Sequence, residues 1–405
     1  MIRFYMRGKT QSHSLNYKMK IAIFTECYEP VITGVVHSIE STKKGLESLG
    51  HQVFIITPDY GKKNLKDEGI IPCPSIPLGS TGYHFVYSFP LKARRIAEEA
   101  DILHTHHPFT LGQRARKIAR GQKKPLLFTH HTQYDQYLAY VPIAKKLAKK
   151  VLYGYLKSFC DQATLIIAPS ESIKRKIKAY GAETPIETVP NGVEIEKFQK
   201  KNIAIPPELK QLPEDEKIVI FVGRVCYEKK IDFVIRAFKK VVGEAPKTRL
   251  LIVGGGPAFD EFKKLSEYLG IAKNVTMTGV VPFTKIPGYF RRADIFASAS
   301  KTEVHPMVGI EAMASGLPIV ALDSVGYRDI VERGKTGLIA QENLNDFASK
   351  IVELVSNKEK FERMKKNSSI SSRKYSIAAT SKNMLATYQR AQQLINGLEQ
   401  DSKND

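Results

Sequence analysis

Tryptophan is absent from the 405 residues, and the four cysteines, Cys27, Cys73, Cys160 and Cys226, stand far apart with no C-x-x-C pair and no Cys/His spacing of a zinc site. That excludes a disulfide framework and a structural zinc, and reads as free thiols in a reducing compartment. No stretch approaches the roughly 20 apolar residues a membrane-spanning helix needs. Residues 1–18 carry Arg3, Arg7, Lys9 and Lys18 but lack the apolar core of a secretory signal. They read as a disordered basic extension ahead of Met19, and the chain as cytoplasmic, any membrane contact being peripheral. Acids are also short, 41 Asp and Glu against 62 Lys and Arg, a formal charge of +21. Such an excess calls for an anionic partner, and nucleic acid, an acidic bilayer and a phosphate-rich ligand all fit it.

What is present is enough for two ordinary globular domains, with 42% hydrophobic and 25% charged residues. Apolar runs of strand length alternate with amphipathic runs of helix length, the pattern of parallel sheets with crossover helices. In a first α/β unit, residues 19–192, strands are expected at 20–26, 52–58, 101–106, 125–131 and 163–170, with a last one near 186–192. A second unit, 217–375, restarts at KIVIFVGR (217–224) and continues through 249–256, 274–281, 293–300, 318–323 and 336–340. Between them, 193–216 mixes charge with Pro206, Pro207 and Pro213, which is linker chemistry. Residues 376–398 read as one amphipathic helix and 399–405 as a tail.

Glu303 and Glu311 are two carboxylates eight apart, at a strand-to-helix passage. Taken alone, the pair is most simply an N-terminal acid and a solvated mid-helix acid. Its surroundings reverse that: Gly223-Arg224 with Lys229 five residues on, Gly254-Gly255-Gly256-Pro257, Gly279-Val280-Val281-Pro282 and, near the start, Pro30-Val-Ile-Thr-Gly34 follow in order. Together these segments resemble the E-x7-E, GR-x4-K, G-x-GP and N-terminal glycine-loop motifs of family 4 retaining glycosyltransferases, collinear from about Met19 to about Asn396. The resemblance implies a GT-B fold, two Rossmann-like domains facing across a cleft, and transfer of a sugar from a nucleoside diphosphate.

On that resemblance Arg224 and Lys229 supply fixed positive charge at the leaving pyrophosphate, and Gly34 lets backbone N–H groups approach it from the other domain. Glu303 takes the sugar hydroxyls, Glu311 the ribose, and the backbone near Val281 the base. His131, in the block Thr129-His130-His131-Thr132, would orient or polarise the reacting centre, although a strand-end histidine is more often structural. Pro306 stands where the family commonly has glycine. Lacking an N–H, it leaves Met307 and Val308 as the remaining backbone donors. His104, His106 and His107 could suggest a metal cluster, but no D-x-D motif accompanies them, and no metal or cofactor is expected besides the nucleotide sugar as co-substrate.

Between Gln113 and Lys157 eleven Lys and Arg face one acid, Asp135. Lys145, Lys146, Lys149 and Lys150 alternate with apolar residues at 143, 147, 148, 151 and 152, the pattern of a basic amphipathic helix on an anionic bilayer. An ordinary domain helix with a lysine-rich solvent face has the same pattern. Nucleic acid is not expected, because no recognition-helix, aromatic-pair or zinc-finger signature occurs. The segments 104–112 and 129–137 look most like diacylglycerol glucosyltransferases within the family. A hexosyltransferase acting on diacylglycerol or glycosyl-diacylglycerol is therefore the first expectation. A soluble, polysaccharide- or phosphatidylinositol-directed transferase of the same fold is the second, and a non-catalytic basic binding protein the third.

Overall fold

A computed structural model of the chain describes residues 18–31, 33–61, 67–79, 82–134, 145–200 and 202–404. Residues 1–17 of the expected extension lie outside these, as do 135–144, with position 143 of the expected basic helix among them. The first sheet uses β1 (Lys20–Phe24), β2 (Gln52–Pro58), β3 (Ile70–Cys73), β6 (Ile102–Thr105), β7 (Leu126–Thr129), β8 (Leu165–Ala168) and β9 (Ile186–Thr188), all parallel, in the order β3-β2-β1-β6-β7-β8-β9. A short antiparallel hairpin, β4 (Ser75–Pro77) and β5 (His84–Val86), rises from the end of β3. The second sheet uses β10 (Lys217–Val222), β11 (Thr248–Val253), β12 (Val275–Met277), β13 (Ile295–Ser298), β14 (Ile319–Leu322) and β15 (Gly337–Ala340), in the order β12-β11-β10-β13-β14-β15.

Both orders reverse direction once, between β1 and β6 and between β10 and β13. Doubly wound sheets bind ligands at such switch points, beyond the carboxyl ends of the strands. The strands are near-continuous runs of Val, Ile and Leu because helices cover both faces.

Helices that position the site are α1 (Gly34–Ser48), α2 (Leu91–Glu99), α3 (Thr110–Gln122), α4 (Lys145–Cys160), α5 (Glu171–Ala179), α6 (Met307–Ala314), α7 (Val325–Ile330) and α8 (Ile377–Asn404). On one face of the first sheet α2, α3, α4 and α5 bury Ala93, Leu111, Leu156 and Ile173 against Leu103 and Phe128. On the other face α1 and α8 bury Ile39, Met384 and Tyr388 against Ile21 and Ile23. The last helix thus belongs to the core of the first domain although the chain enters it from the second. Its approach to α1 is close enough that a Cβ on Gly45 would lie 1.7 Å from Ser381 Oγ.

The chain crosses between domains twice, side by side: Val193 N–H donates to Tyr375 O (2.8 Å) and Ile377 N–H to Val193 O (3.2 Å). The stretch after that crossing is not open linker. Ile195, Phe198 and Leu209 are buried in the second domain's core, and Pro206 and Glu216 are buried with them, while Pro207 and Pro213 face solvent.

Candidate active site

At the switch point of the second sheet, the loop leaving β10 meets the loop leaving β13. Lys229 Nζ donates to Glu303 Oε1 at 2.6 Å. Burial, the largest single effect, lowers the ammonium's pKa, but the charge and hydrogen bond of Glu303, with the Glu228 charge added, together outweigh it and the net direction is up, so the lysine is fully cationic. A second link runs beside the first: Thr302 Oγ1 donates to Glu228 Oε1 (2.8 Å), whose other oxygen lies 3.4 Å from Arg224 Nη2. Arg224 is otherwise open to solvent, its side chain 67% exposed.

The glycine turns beside these loops are fixed by backbone contact. Gly254 N–H donates to Gly279 O (3.1 Å) and Val225 N–H to Gly255 O (2.8 Å). Gly254 sits at φ +139°, where a Cβ would be 2.0 Å from Gly223 O, so only glycine fits. Half-buried Val281 follows the same turn and packs on the core.

The helix α6 starts at Met307, with Pro306 as its N-cap residue. Its first N–H groups, those of Met307 and Val308 included, have no acceptor within the helix. Glu303 lies in the loop before it. Glu311, one turn in, is 5% exposed and lines the interdomain cleft together with Met307. Burial pushes the Glu311 carboxyl up to about 8, against smaller opposing effects of His37 and Lys197.

From the first domain, Gly34 opens α1 behind its cap, Thr33, whose Oγ1 accepts the Val36 N–H. A side chain at Gly34 would meet nothing within 4 Å, so this helix end faces open space. His131 follows β7 and is nearly buried. Its Nε2 lies 2.7 Å from His106 Nδ1. One ring must donate and the other accept. Burial first, and then neighbouring imidazoles, hold both below the ordinary histidine range, so the pair is uncharged near neutrality. The other histidines have structural partners. His104 bridges Tyr388 Oη (2.8 Å) and Thr129 Oγ1 (2.6 Å), and His107 Nδ1 accepts the Glu26 N–H (3.2 Å).

The two domains touch at the site itself. Buried Gln133, two residues past His131, donates from Nε2 to the carbonyls of Thr302 and Glu303, both at 3.1 Å, while its Oε1 accepts from Lys176 Nζ at 3.1 Å. Lys176 can only donate and the carbonyls only accept, so this orientation of the amide is the one that satisfies all three. Ser172 adds N–H and Oγ bonds to Asp329 of α7. Across the cleft, of about 810 Å³, the His37 ring stacks on Phe283 with centroids 5.2 Å apart. Gln133, His37, Phe283 and Glu228 carry no motif in the sequence. The contacts of Gln133 span 169 and 170 residues, and only the fold brings them together.

On α4, Lys146, Lys149 and Lys150 are exposed, and the side chain of Lys145 lies outside the described residues. The helix does not bury all its apolar residues. Leu152, Leu156 and Phe159 turn inward, whereas Leu147, Val151 and Tyr155, at i, i+4 and i+8, form an exposed stripe among the lysines.

The chain matches the family model described as glycosyl transferases group 1 over residues 206–370, and glycosyltransferase family 4 over 32–197. It is 32% identical over 318 residues to the alpha-monoglucosyldiacylglycerol synthase of Streptococcus pneumoniae, covering 75% of this chain and 71% of that one. With the enzyme of that name from Acholeplasma laidlawii it shares 30% identity over 392 residues, 91% and 96% of the two chains. The chain belongs to the group 1, family 4 glycosyltransferases. Its fold is also that of Anabaena HepE crystallised with UDP, at a TM-score of 0.74 and 19% identity over 92% of this chain and all of the other. The expected GT-B architecture of two Rossmann-like domains is thereby present, and the enzyme is a glycosyltransferase.

Two expectations follow from this geometry. Gln133→Glu keeps the shape but turns lone pairs toward two carbonyls. The turnover number should fall about 10- to 100-fold, as for a misplaced catalytic loop, with nucleotide affinity little changed. Wild-type turnover would show the clasp to be idle. The Glu311 carboxyl, ordinarily near 4.5, keeps its proton to higher pH in the folded state than in the unfolded. The stability of that neutral form is therefore complete below about 4.5 and lost as pH rises through about 8. Glu311→Gln should melt several degrees above wild type at pH 9, with the gap nearly closed at pH 5. Coinciding melting curves at pH 9 would contradict the assignment.

Proposed function

We propose that this glycosyltransferase moves a hexose, with glucose from UDP-glucose the first choice, onto diacylglycerol or glycosyl-diacylglycerol at an anionic membrane surface, retaining the anomeric configuration. What carries the reading is the similarity to two alpha-monoglucosyldiacylglycerol synthases along most of the chain, supported by the mixed basic and apolar face of α4.

In this reading the diphosphate sits over the α1 start at Gly34 and between Arg224 and Lys229, whose fixed charge stabilises it as the glycosidic bond breaks. No metal is needed for that counter-charge. Glu303 accepts from the sugar hydroxyls, and the N–H groups of Met307 and Val308 donate to the donor where Pro306 cannot. Glu311 holds the ribose, and the backbone near Val281 meets the base. The uncharged His131 orients the reacting carbon's substituents. The leaving phosphate takes the acceptor hydroxyl's proton on the same face, so no side chain acts as nucleophile. Lys146, Lys149, Lys150 and Lys145 draw the protein to anionic lipid.

Incubation with UDP-glucose and diacylglycerol vesicles should yield an alpha-glucosyl lipid. Lys229→Ala and Glu303→Ala should reduce transfer at least about 1000-fold while the protein stays folded. Wild-type rates in both variants would sink the site assignment. Binding the donor should also release protons. Ribose hydroxyls donating to Glu311 favour its anion, so titration calorimetry at pH 7 in buffers of different ionisation heat should find about half to one proton released. No release would remove the ribose from Glu311.

A further inference from the structure

The hairpin β4–β5 was not expected from the sequence, and it is unusually apolar on its outside. Ile76 and Phe85, directly paired across it, are 53% and 44% exposed. Tyr87 and Leu91 just beyond it reach 60% and 82%, and Phe109 at the start of α3 is 42% exposed. Of fifteen exposed large apolar side chains among the described residues, nine fall in the segment from Ile76 to Tyr155 of the first domain. Monomeric soluble proteins scatter such residues singly, and a cluster marks an interface.

The topology explains why these nine lie together. Helices α2, α3 and α4 all cover one face of the first sheet; α3 and α4 follow the parallel strands β6 and β7 and so begin at the carboxyl edge of the sheet, and α2 leads back into the start of β6 and so begins toward that edge too. The hairpin joins the end of β3 to α2 at that same edge, and β5 packs on α3 and β2. The first turn of α3 is tied to α4, because Tyr155 Oη donates to Pro108 O and accepts from Gln113 Nε2 at 3.0 Å. One corner of the domain therefore carries the hairpin, the tips of α2 and α3 and the outer stripe of α4. Basic residues predominate there: Lys92 and Arg95 are exposed near the tip of α2 and Arg114 near that of α3, whereas Glu98 and Glu99 stand at the far end of α2 and one exposed acid, Asp59, lies beside β4.

We propose that this corner is a bilayer-docking surface in which the β4–β5 hairpin and Leu91 insert among the acyl chains of an anionic membrane, while the basic residues of α2, α3 and α4 engage the headgroups. The inference rests on the membrane reading above and adds a second, apolar component to it. The two components differ in their response to salt. Headgroup attraction is screened within about 8–10 Å at 0.1–0.15 M salt and weakens further above that. Apolar insertion is not. The surface lies at the carboxyl edge of the first sheet, from which His131 and Gln133 also extend, so docking there presents the bilayer to the proposed acceptor side.

Sedimentation with phosphatidylglycerol vesicles at 0.05 M and 0.5 M salt tests it, using wild type, Ile76→Ser/Phe85→Ser/Leu91→Ser, and Lys146→Ala/Lys149→Ala/Lys150→Ala. Wild type should retain a bound fraction at 0.5 M salt, the serine variant should lose it about tenfold, and the alanine variant should lose mainly the extra binding at 0.05 M salt. The mutated side chains are exposed, so melting temperatures should be unchanged. If the serine variant fails to fold, Leu91→Glu alone should reproduce the loss. High-salt binding of the serine variant equal to wild type would overturn this inference and leave the membrane reading standing. No wild-type binding at either salt would overturn both. A wild-type dimer in gel filtration that the serine variant loses would show that a second copy, not lipid, covers the corner.

Discussion

The ion pair between Lys229 and Glu303 is the constraint on which the rest of the site depends. It draws the loop after β10 and the loop after β13 together at the one place where the second sheet changes winding direction. Its ammonium sits largely out of water, and the cation is favoured chiefly by Glu303, with Glu228 adding to it. Removing either group alone leaves a poorly solvated charge, and the neighbouring link through Glu228 and Thr302 loses its register. The same loop then carries the interdomain contact, because the carbonyls that Gln133 grips are those of Thr302 and Glu303. Charge placement within one domain and closure between domains thus meet in a single short segment.

Much of this was legible in the sequence. The inner parallel strands of both units are continuous apolar runs buried on two faces, and twelve parallel strands, the short half-buried β9 and β12 included, occur where the sequence predicts them. The glycines at 254 to 256 and the spacing from Arg224 to Lys229 belong to turns whose backbone geometry permits few alternatives. Three features were not legible. The hairpin strands are three residues each, too short for a period to register, and Ile76 and Phe85 face outward rather than into a core. The stretch 193–216 hides four core residues, Val193, Ile195, Phe198 and Leu209, among prolines and charges. On α4 the apolar residues occupy two stripes, one inward and one outward, so the pattern at 143, 147, 148, 151 and 152 cannot say which is buried.

Gln133 illustrates a different limit. Its role comes from the direction of its amide, fixed by a lysine on one side and two carbonyls on the other, and none of these partners is near it in the chain. The histidines divide in the same way. Their number in 104–107 and 130–131 invites a metal or a catalytic set, but His104 is consumed by Tyr388 and Thr129 and His107 by the backbone of Glu26, while His106 and His131 stack on and bond to each other.

The exchange of partners at Lys229 links this geometry to the proposed reaction. Without a donor, the lysine charge is matched by Glu303, and Glu303 cannot turn fully to sugar hydroxyls. A diphosphate carries more negative charge than one carboxylate and brings Arg224, now in solvent beside Glu228, into range of a partner. Its arrival would therefore loosen the Lys229–Glu303 bond and release the carboxylate toward the sugar at the moment the leaving group acquires its counter-charge. In the proposed reaction the pair would hold the two side chains in place before binding and commit them to different ends of the donor afterwards. That division suits catalysis, since a fixed cation facing a fixed anion costs little reorganisation when charge develops between them.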